Sequence, residues 1–195
     1  MPRVSQQYKD DQRAQILDAA RRCFVRNGFH QTSMQDVFTE AGKSAGAVYR
    51  YFPSKEAMIV ATATQNLEDV GDVLRAAVAA GTGRGLGPVL AELLDAVAAR
   101  HAEHQLAAVA LMVWSESLRD QALADRLRES IAAMSADLAD LVRERQQAGD
   151  WAGGAADQVA PVLLSILPGF LLTLALRGPR AVSGFPDAVR ALWPA

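Results

Sequence analysis

The stretch Thr32-Ser-Met-Gln-Asp-Val-Phe-Thr-Glu-Ala-Gly-Lys-Ser-Ala-Gly-Ala-Val-Tyr-Arg-Tyr-Phe-Pro-Ser-Lys55 decides how this chain is read. Its first part predicts a short helix from about Ser33 to Ala41. Thr32 or Ser33 can cap that helix, with Gln35 or Asp36 as the return arm of a capping box. Gly42 ends it and opens a tight turn. A second short helix is expected from about Ser44 to Phe52, stopped by Pro53. Val37, Val48 and Phe52 are placed to pack the two helices together. A short helix, a glycine turn and a second short helix make a helix-turn-helix, which presents its second helix to the major groove of DNA.

Outward from this motif the apolar spacing is helical, and no stretch alternates as a strand would. Residues 11–27 put Ile16, Leu17, Ala20 and Phe24 on one face, with Arg13, Arg21, Arg22 and Arg26 largely off it. Asp10 or Asp11 can cap its start, and Gly28 is the expected left-handed stop before the apolar Phe29. Ser54 and Glu56 open a long helix to about Ala80. The run 81–88, rich in glycine, is the clearest linker. Residues 88–118 read as helix, and the spacing leaves open whether it breaks near His101 to Gln105. A long amphipathic helix is expected over 121–148, with Leu123, Leu127, Ile131, Met134, Leu138 and Leu141 on its apolar stripe. A further helix over 156–176 and a short one near 187–193 complete an all-α chain.

The whole chain carries a formal charge of −2, which argues against a nucleic-acid binder. Divided, the charge says otherwise. Residues 1–56 hold nine Lys or Arg against six Asp or Glu, a net of +3. Residues 57–195 hold eleven Arg and sixteen Asp or Glu, a net of −5. All three lysines, Lys9, Lys43 and Lys55, lie in the first segment. A basic head on an acidic body directs attention to the amino-terminal part for DNA contact.

Competing motifs are weaker. Gly42-Lys-Ser-Ala-Gly46 has the letter pattern of a serine-hydrolase elbow, so a small hydrolase using Ser44 is the rival reading. That elbow needs a strand before it and an acid and a histidine after it; here a helix precedes it. Gly42-Lys43-Ser44 imitates the end of a phosphate-binding loop but has Val37 where that motif needs glycine. His101 and His104 share a helical run and form at most a partial metal pair. The single cysteine, Cys23, excludes an intrachain disulfide and reads as a small core residue. The polar start of the sequence carries no secretory signal, and a cytoplasmic location is expected. Val159 to Leu176 is uncharged and long enough to cross a membrane. Its prolines and unmarked flanks favour a core or subunit interface instead.

With these residues in view, the segment of about 11–60 resembles the DNA-binding head of the tetracycline-repressor (TetR) family of bacterial regulators. The match rests on Phe24 and Gly28-Phe29, Thr32, Ala41-Gly42, Gly46, Tyr49, Tyr51-Phe52 and Ser54-Lys55-Glu56. Three positions depart from the family pattern: Ala45 where a lysine is common, Lys43 where an apolar residue is usual, and Phe38 where alanine is frequent. Arg50, in place of a frequent histidine, can supply charge.

The resemblance implies a three-helix head at 1–53 and a helical effector-binding and dimerisation domain at 54–195. It implies a non-enzymatic, ligand-responsive regulator, expected to be a repressor released from a palindromic operator by a small molecule, with no cofactor. The expected DNA contacts are the Thr32 and Ser33 hydroxyls, Lys43, Ser44, Ala45, Gly46 and Ala47 at the groove-facing tip, Tyr49, Arg50 and Tyr51 beyond it, and Lys55. Met112, Trp114 and Phe170 read most simply as core residues and equally as the lining of a pocket for a largely apolar effector, with His101 or His104 as polar contacts. A kink at Pro168-Gly169 would widen that space. The partners expected are double-stranded DNA and a second copy of the chain, joined through 156–176 and 187–193, with no membrane.

Overall fold

Ser5 accepts a hydrogen bond from the Tyr8 amide, and α1 (Gln6–Gln31) begins there, a full turn earlier than a start at Asp10 or Asp11. The computed structural model describes residues 5–81, 84–150 and 153–193; among these, every regular element is a helix. Ile16, Leu17, Ala20, Cys23 and Phe24 line the buried face of α1 as its periodicity demands. Arg21 is also buried, close to Asp18, which corrects its expected place off that face. At Gly28 the backbone takes φ 78° and ψ 164°, and α1 resumes for one turn beyond this kink. The kink sets Phe29 edge-on to Phe24 at 5.0 Å between ring centres.

Ser33 caps α2 (Met34–Ala41) with Asp36 as its reciprocal partner, so one of the two possible capping boxes forms. Gly42 closes α2 in the left-handed conformation, φ 61° and ψ 34°. Ser44 caps α3, which is shorter than expected, Ala45–Tyr49, because the chain turns at Arg50 and Tyr51 before Pro53. Val37, Val48 and Phe52 are buried between the short helices. Ser54 Oγ accepts the Ala57 amide at the start of α4 (Lys55–Ala80).

The chain divides into two compact units, Met1–Asn66 and Leu67–Ala195, and the division falls within α4. In the second unit α5 (Leu86–His104) starts two residues before the expected end of the linker, with Gly87 and Pro88 in its first turn. Proline costs nothing there, since the first-turn N–H groups have no intrahelical partner. Gln105, at φ 55°, breaks the helix, and α6 (Leu106–Ser117) follows. In α7 (Gln121–Ala148) the stripe is buried at Leu123, Met134, Leu138 and Leu141, but Ile131 is 44% exposed and Leu127 is only half-buried. Each fully buried leucine contributes roughly 1.5–3 kcal/mol of transfer free energy. α8 (Ala156–Leu164) runs back along the end of α7, tied by Arg143 to Asp157 at 3.0 Å and by Gln146 Nε2 to the Gly154 carbonyl at 2.9 Å.

The expected single helix over 156–176 is two. It breaks at Ser165, and α9 spans Ile166–Arg177. Pro168 offers no N–H to the Leu164 carbonyl, so the interruption lies one turn before the Pro168-Gly169 pair, where a kink was expected. Ser165 Oγ donates to the Pro161 carbonyl at 2.7 Å across the break. Ala156–Arg177 remains long and apolar enough to cross a membrane by length and composition. Here Leu163, Leu164, Leu167, Phe170, Leu171 and Leu174 pack it onto the core of the unit. After a 3₁₀ turn at Pro179–Ala181, α10 (Phe185–Leu192) starts two residues before the expected 187, again with a proline in its first turn. α10 packs on α5 at Gly87, where an added Cβ would lie 2.1 Å from the Trp193 carbonyl oxygen.

Candidate nucleic-acid interface

The first unit is built around three helices whose polar groups fall into two sets, those used to hold the unit together and those left facing outward. Thr32 belongs to the first. It is 1% exposed, and its hydroxyl lies 2.8 Å from the Gly28 carbonyl and 3.2 Å from that of Cys23, closing the end of α1. Its oxygen is therefore turned inward and away from the phosphate it was expected to meet. Ser33 exchanges hydrogen bonds with Asp36, whose carboxylate receives both the Ser33 amide and the Ser33 hydroxyl at 2.8 Å. The Ser33 amide, with its hydroxyl, holds the Asp36 carboxyl below the usual carboxylate range. The start of α4 is similar, with Glu56 lowered by its own amide and by the Ser54 hydroxyl. Both helix starts thus already carry a negative charge on their positive ends.

The basic residues divide in the same way. Arg22 Nε donates to Glu40 at 2.7 Å, and Arg26 reaches the same carboxylate at 3.3 Å, so two cations fasten α1 to α2. The Arg22 hydrogen bond, with Arg26, holds the Glu40 carboxyl low. Lys43 is half-buried, its Nζ 2.6 Å from Gln12 Oε1, and so braces the turn against α1. Lys55 donates to the His30 carbonyl at 2.9 Å while remaining near the surface at the start of α4. Arg13 lies over the Phe52 ring at 5.1 Å.

The outward set centres on α3. Ser44, Ala45, Gly46, Tyr49 and Arg50 are exposed, and Ala47 is half-buried. Ser44 Oγ accepts the Ala47 amide at 3.3 Å, so the serine of the elbow-like pattern is a helix cap. Nothing within 4 Å would oppose a Cβ at Gly46, so this tip is open space. Phe38, unusual for alanine, packs edge-on against the Tyr49 ring at 5.4 Å and holds that phenol at the surface. Arg50 stacks over Tyr51 at 5.1 Å, with Nη2 3.4 Å from its hydroxyl. A small-residue tip flanked by two phenols and a planar cation can approach base edges and hydrogen-bond phosphate oxygens. Reading from about residue 11 missed Tyr8 and Lys9, because the Ser5 cap that brings them onto α1 was not seen.

The candidate ligand residues lie in the second unit. His101 Nδ1 accepts the Ala107 amide at 3.1 Å, bridging the α5–α6 break, and burial holds its pKa below the ordinary value. His104 neighbours Glu103 at 3.7 Å. Met112 and Trp114 are half-buried on α6, Trp114 against the core. Phe170 is inside that core, edge-on to Phe185 at 5.7 Å. An open cleft of about 680 Å³ between α4 and α5 has an alanine floor, Ala76, Ala77, Ala80, Ala96 and Ala99, and none of the five candidates lines it.

Comparison with known proteins follows the same division. Residues 16–62 match the model described as bacterial regulatory proteins, tetR family, and residues 87–192 match that of the BetI-type transcriptional repressor, C-terminal. The Bacillus subtilis HTH-type transcriptional regulator YfiR is 49% identical over 57 residues, 29% of this chain and 28% of its own. The chain thus spans well under two thirds of this relative. Salmonella enterica GusR has a similar structure across 98% of this chain and 96% of its own, with a TM-score of 0.75 and 28% identity. A transcriptional regulator from Saccharomonospora viridis, solved in complex with choline, covers 94% and 95% at a TM-score of 0.75 and 23% identity.

Proposed function

Because the chain belongs to the TetR family of bacterial regulatory proteins, we propose that it is a ligand-responsive transcriptional repressor that binds a palindromic operator as a homodimer. The observation that carries this reading is the exposed α3 tip, Ser44, Ala45 and Gly46, flanked by the outward Tyr49 and Arg50. In this reading Ala45, Gly46 and Ala47 approach the base edges. Ser33, Lys43, Tyr49, Arg50, Tyr51 and Lys55 contact or support contact with the phosphates. Residues 1–53 form the DNA-binding part, and residues 54–195 bind the effector and the second copy in the cytoplasm.

The dimer reading is supported by the uncharged stretch 159–176 of α8 and α9, where Val162, Leu172 and Leu176 are 68%, 46% and 72% exposed. Leu192 continues the apolar exposure on α10. A two-fold pair of heads matches a palindrome. The effector is a small, largely apolar molecule held near Met112 and Trp114, with His101 and His104 as polar contacts. Its binding and that of DNA are coupled reciprocally.

The test is selection of bound duplexes from a random pool with the purified protein. A palindrome should be enriched, and its affinity should fall steeply with salt. Lys55→Gln should reduce the salt slope by about one phosphate contact per head. Failure to enrich any palindrome overturns the reading.

A further inference from the structure

The amino-terminal turn of α1 and the end of α3 enclose a cleft of about 480 Å³, lined by Tyr8, Lys9, Arg50 and Tyr51. Among the described residues its lining is two cations and two phenols, with no carboxylate. We propose that this cleft is a second phosphate grip of the head, in which Tyr8 and Lys9 hold the DNA backbone beside the segment that α3 reads. The proposal rests on the DNA-binding reading above and adds two contacts from a different helix.

The charge arrangement points to an anion. Asp10 and Asp11 adjoin Lys9 in sequence, but helical geometry turns them about 100° and 200° around α1 from it. There they accept from Gln6 and Gln7 at 2.9 Å. Tyr8, Lys9, Gln12 and Arg13 instead share the side of α1 that meets the turn and α3, as the Lys43–Gln12 hydrogen bond and the Arg13–Phe52 stack require. Lys9 is exposed, and Tyr8 is 50% exposed. Arg50 is already ordered over Tyr51, so its planar fork is oriented before an anion arrives. A mobile ammonium, an oriented guanidinium and two phenolic donors suit a phosphodiester, whose oxygens accept from all four. Arg50 and Tyr51 belong both to this cleft and to the end of the recognition segment, so a phosphate held here fixes the register of α3.

The experiment uses the full chain and the duplex enriched from the random pool, fluorescein-labelled, titrated from about 50 to about 200 mM KCl. Lys9→Gln should bind about threefold to tenfold more weakly, with a salt slope smaller by about 0.9 per head. Tyr8→Phe should bind more weakly with the slope unchanged, since a neutral donor is lost. Ethylation interference should show one phosphate per half-site that matters to the parent protein and no longer matters to Lys9→Gln. An unchanged slope in Lys9→Gln, or a smaller slope with the same interfering phosphates, overturns the grip. If Lys55→Gln loses slope while Lys9→Gln does not, the grip falls and the regulator stands. If the parent protein shows no salt-dependent duplex binding, both fall.

Discussion

At the scale of single residues, the two glycines that frame the first helical pair do different work. Gly42 is in the ordinary left-handed region, which asparagine also tolerates. Gly28, at φ 78° and ψ 164°, is in a region open almost only to glycine. An added Cβ at Gly28 meets nothing within 4 Å, so the cost of a side chain there is in the backbone and not in packing. Gly28→Ala is expected to lower stability by about 1–3 kcal/mol, and Gly42→Ala by less, measured by urea unfolding of each variant. Equal losses would mean that the kink relaxes. Spacing alone placed a stop at Gly28. It did not show that Thr32 would turn its hydroxyl back onto the Gly28 carbonyl and so be lost to the surface.

At the scale of elements, the helices formed where their apolar periods lay, and the errors gathered at their ends and at the Ser165 break within 156–176. The sequence put Pro88 at the end of a linker and Pro168 at a kink, yet both lie in the first turn of a helix, as does Pro186, where the missing N–H costs nothing. The α5–α6 junction was legible only as a region. At Gln105 the break is bridged by His101, whose neutral ring accepts the Ala107 amide in the first turn of the next helix. Burial depresses the folded pKa of His101 below its ordinary value. The stabilisation is therefore complete above the unfolded pKa of about 6.5 and is lost as pH falls through the lower folded value. The urea midpoint should drop from about pH 7 to about pH 5, and His101→Gln should flatten that dependence. A profile identical in the variant would remove His101 as its source.

At the scale of the molecule, the charge division has a structural counterpart. The first unit spends Arg22 and Arg26 on Glu40 and Lys43 on Gln12, yet leaves Lys9 and Arg50 exposed, with Lys55 half-buried on the His30 carbonyl. The second unit covers the inner faces of α8 and α9 and leaves Val162, Leu172 and Leu176 uncovered. No element among the described residues covers them, and the proposed dimer does. Leu172→Asp with Leu176→Asp should weaken self-association at least about tenfold, since buried charge at an interface centre is strongly disfavoured. Sedimentation over a concentration series reads this. An unchanged dimer would place the interface elsewhere.

The sequence by itself determined the helical class, the helix-turn-helix layout and the family, because these follow from local spacing, capping residues and short-range packing. The capped starts at Ser33 and Ser54 and the closure at Gly42 are interactions within a few residues and were legible; Ser44 was legible as a start but not as a cap, and Gly28 as an interruption but not as a kink that α1 passes. Tertiary structure decided which polar groups remain for a partner. Lys43 was drawn inward by Gln12 on α1, while Tyr8 and Lys9 were brought beside Arg50 and Tyr51. Those pairings join residues up to some forty positions apart, and no local period encodes them. The edge-on pairing of Phe170 on α9 with Phe185 on α10 is of the same kind.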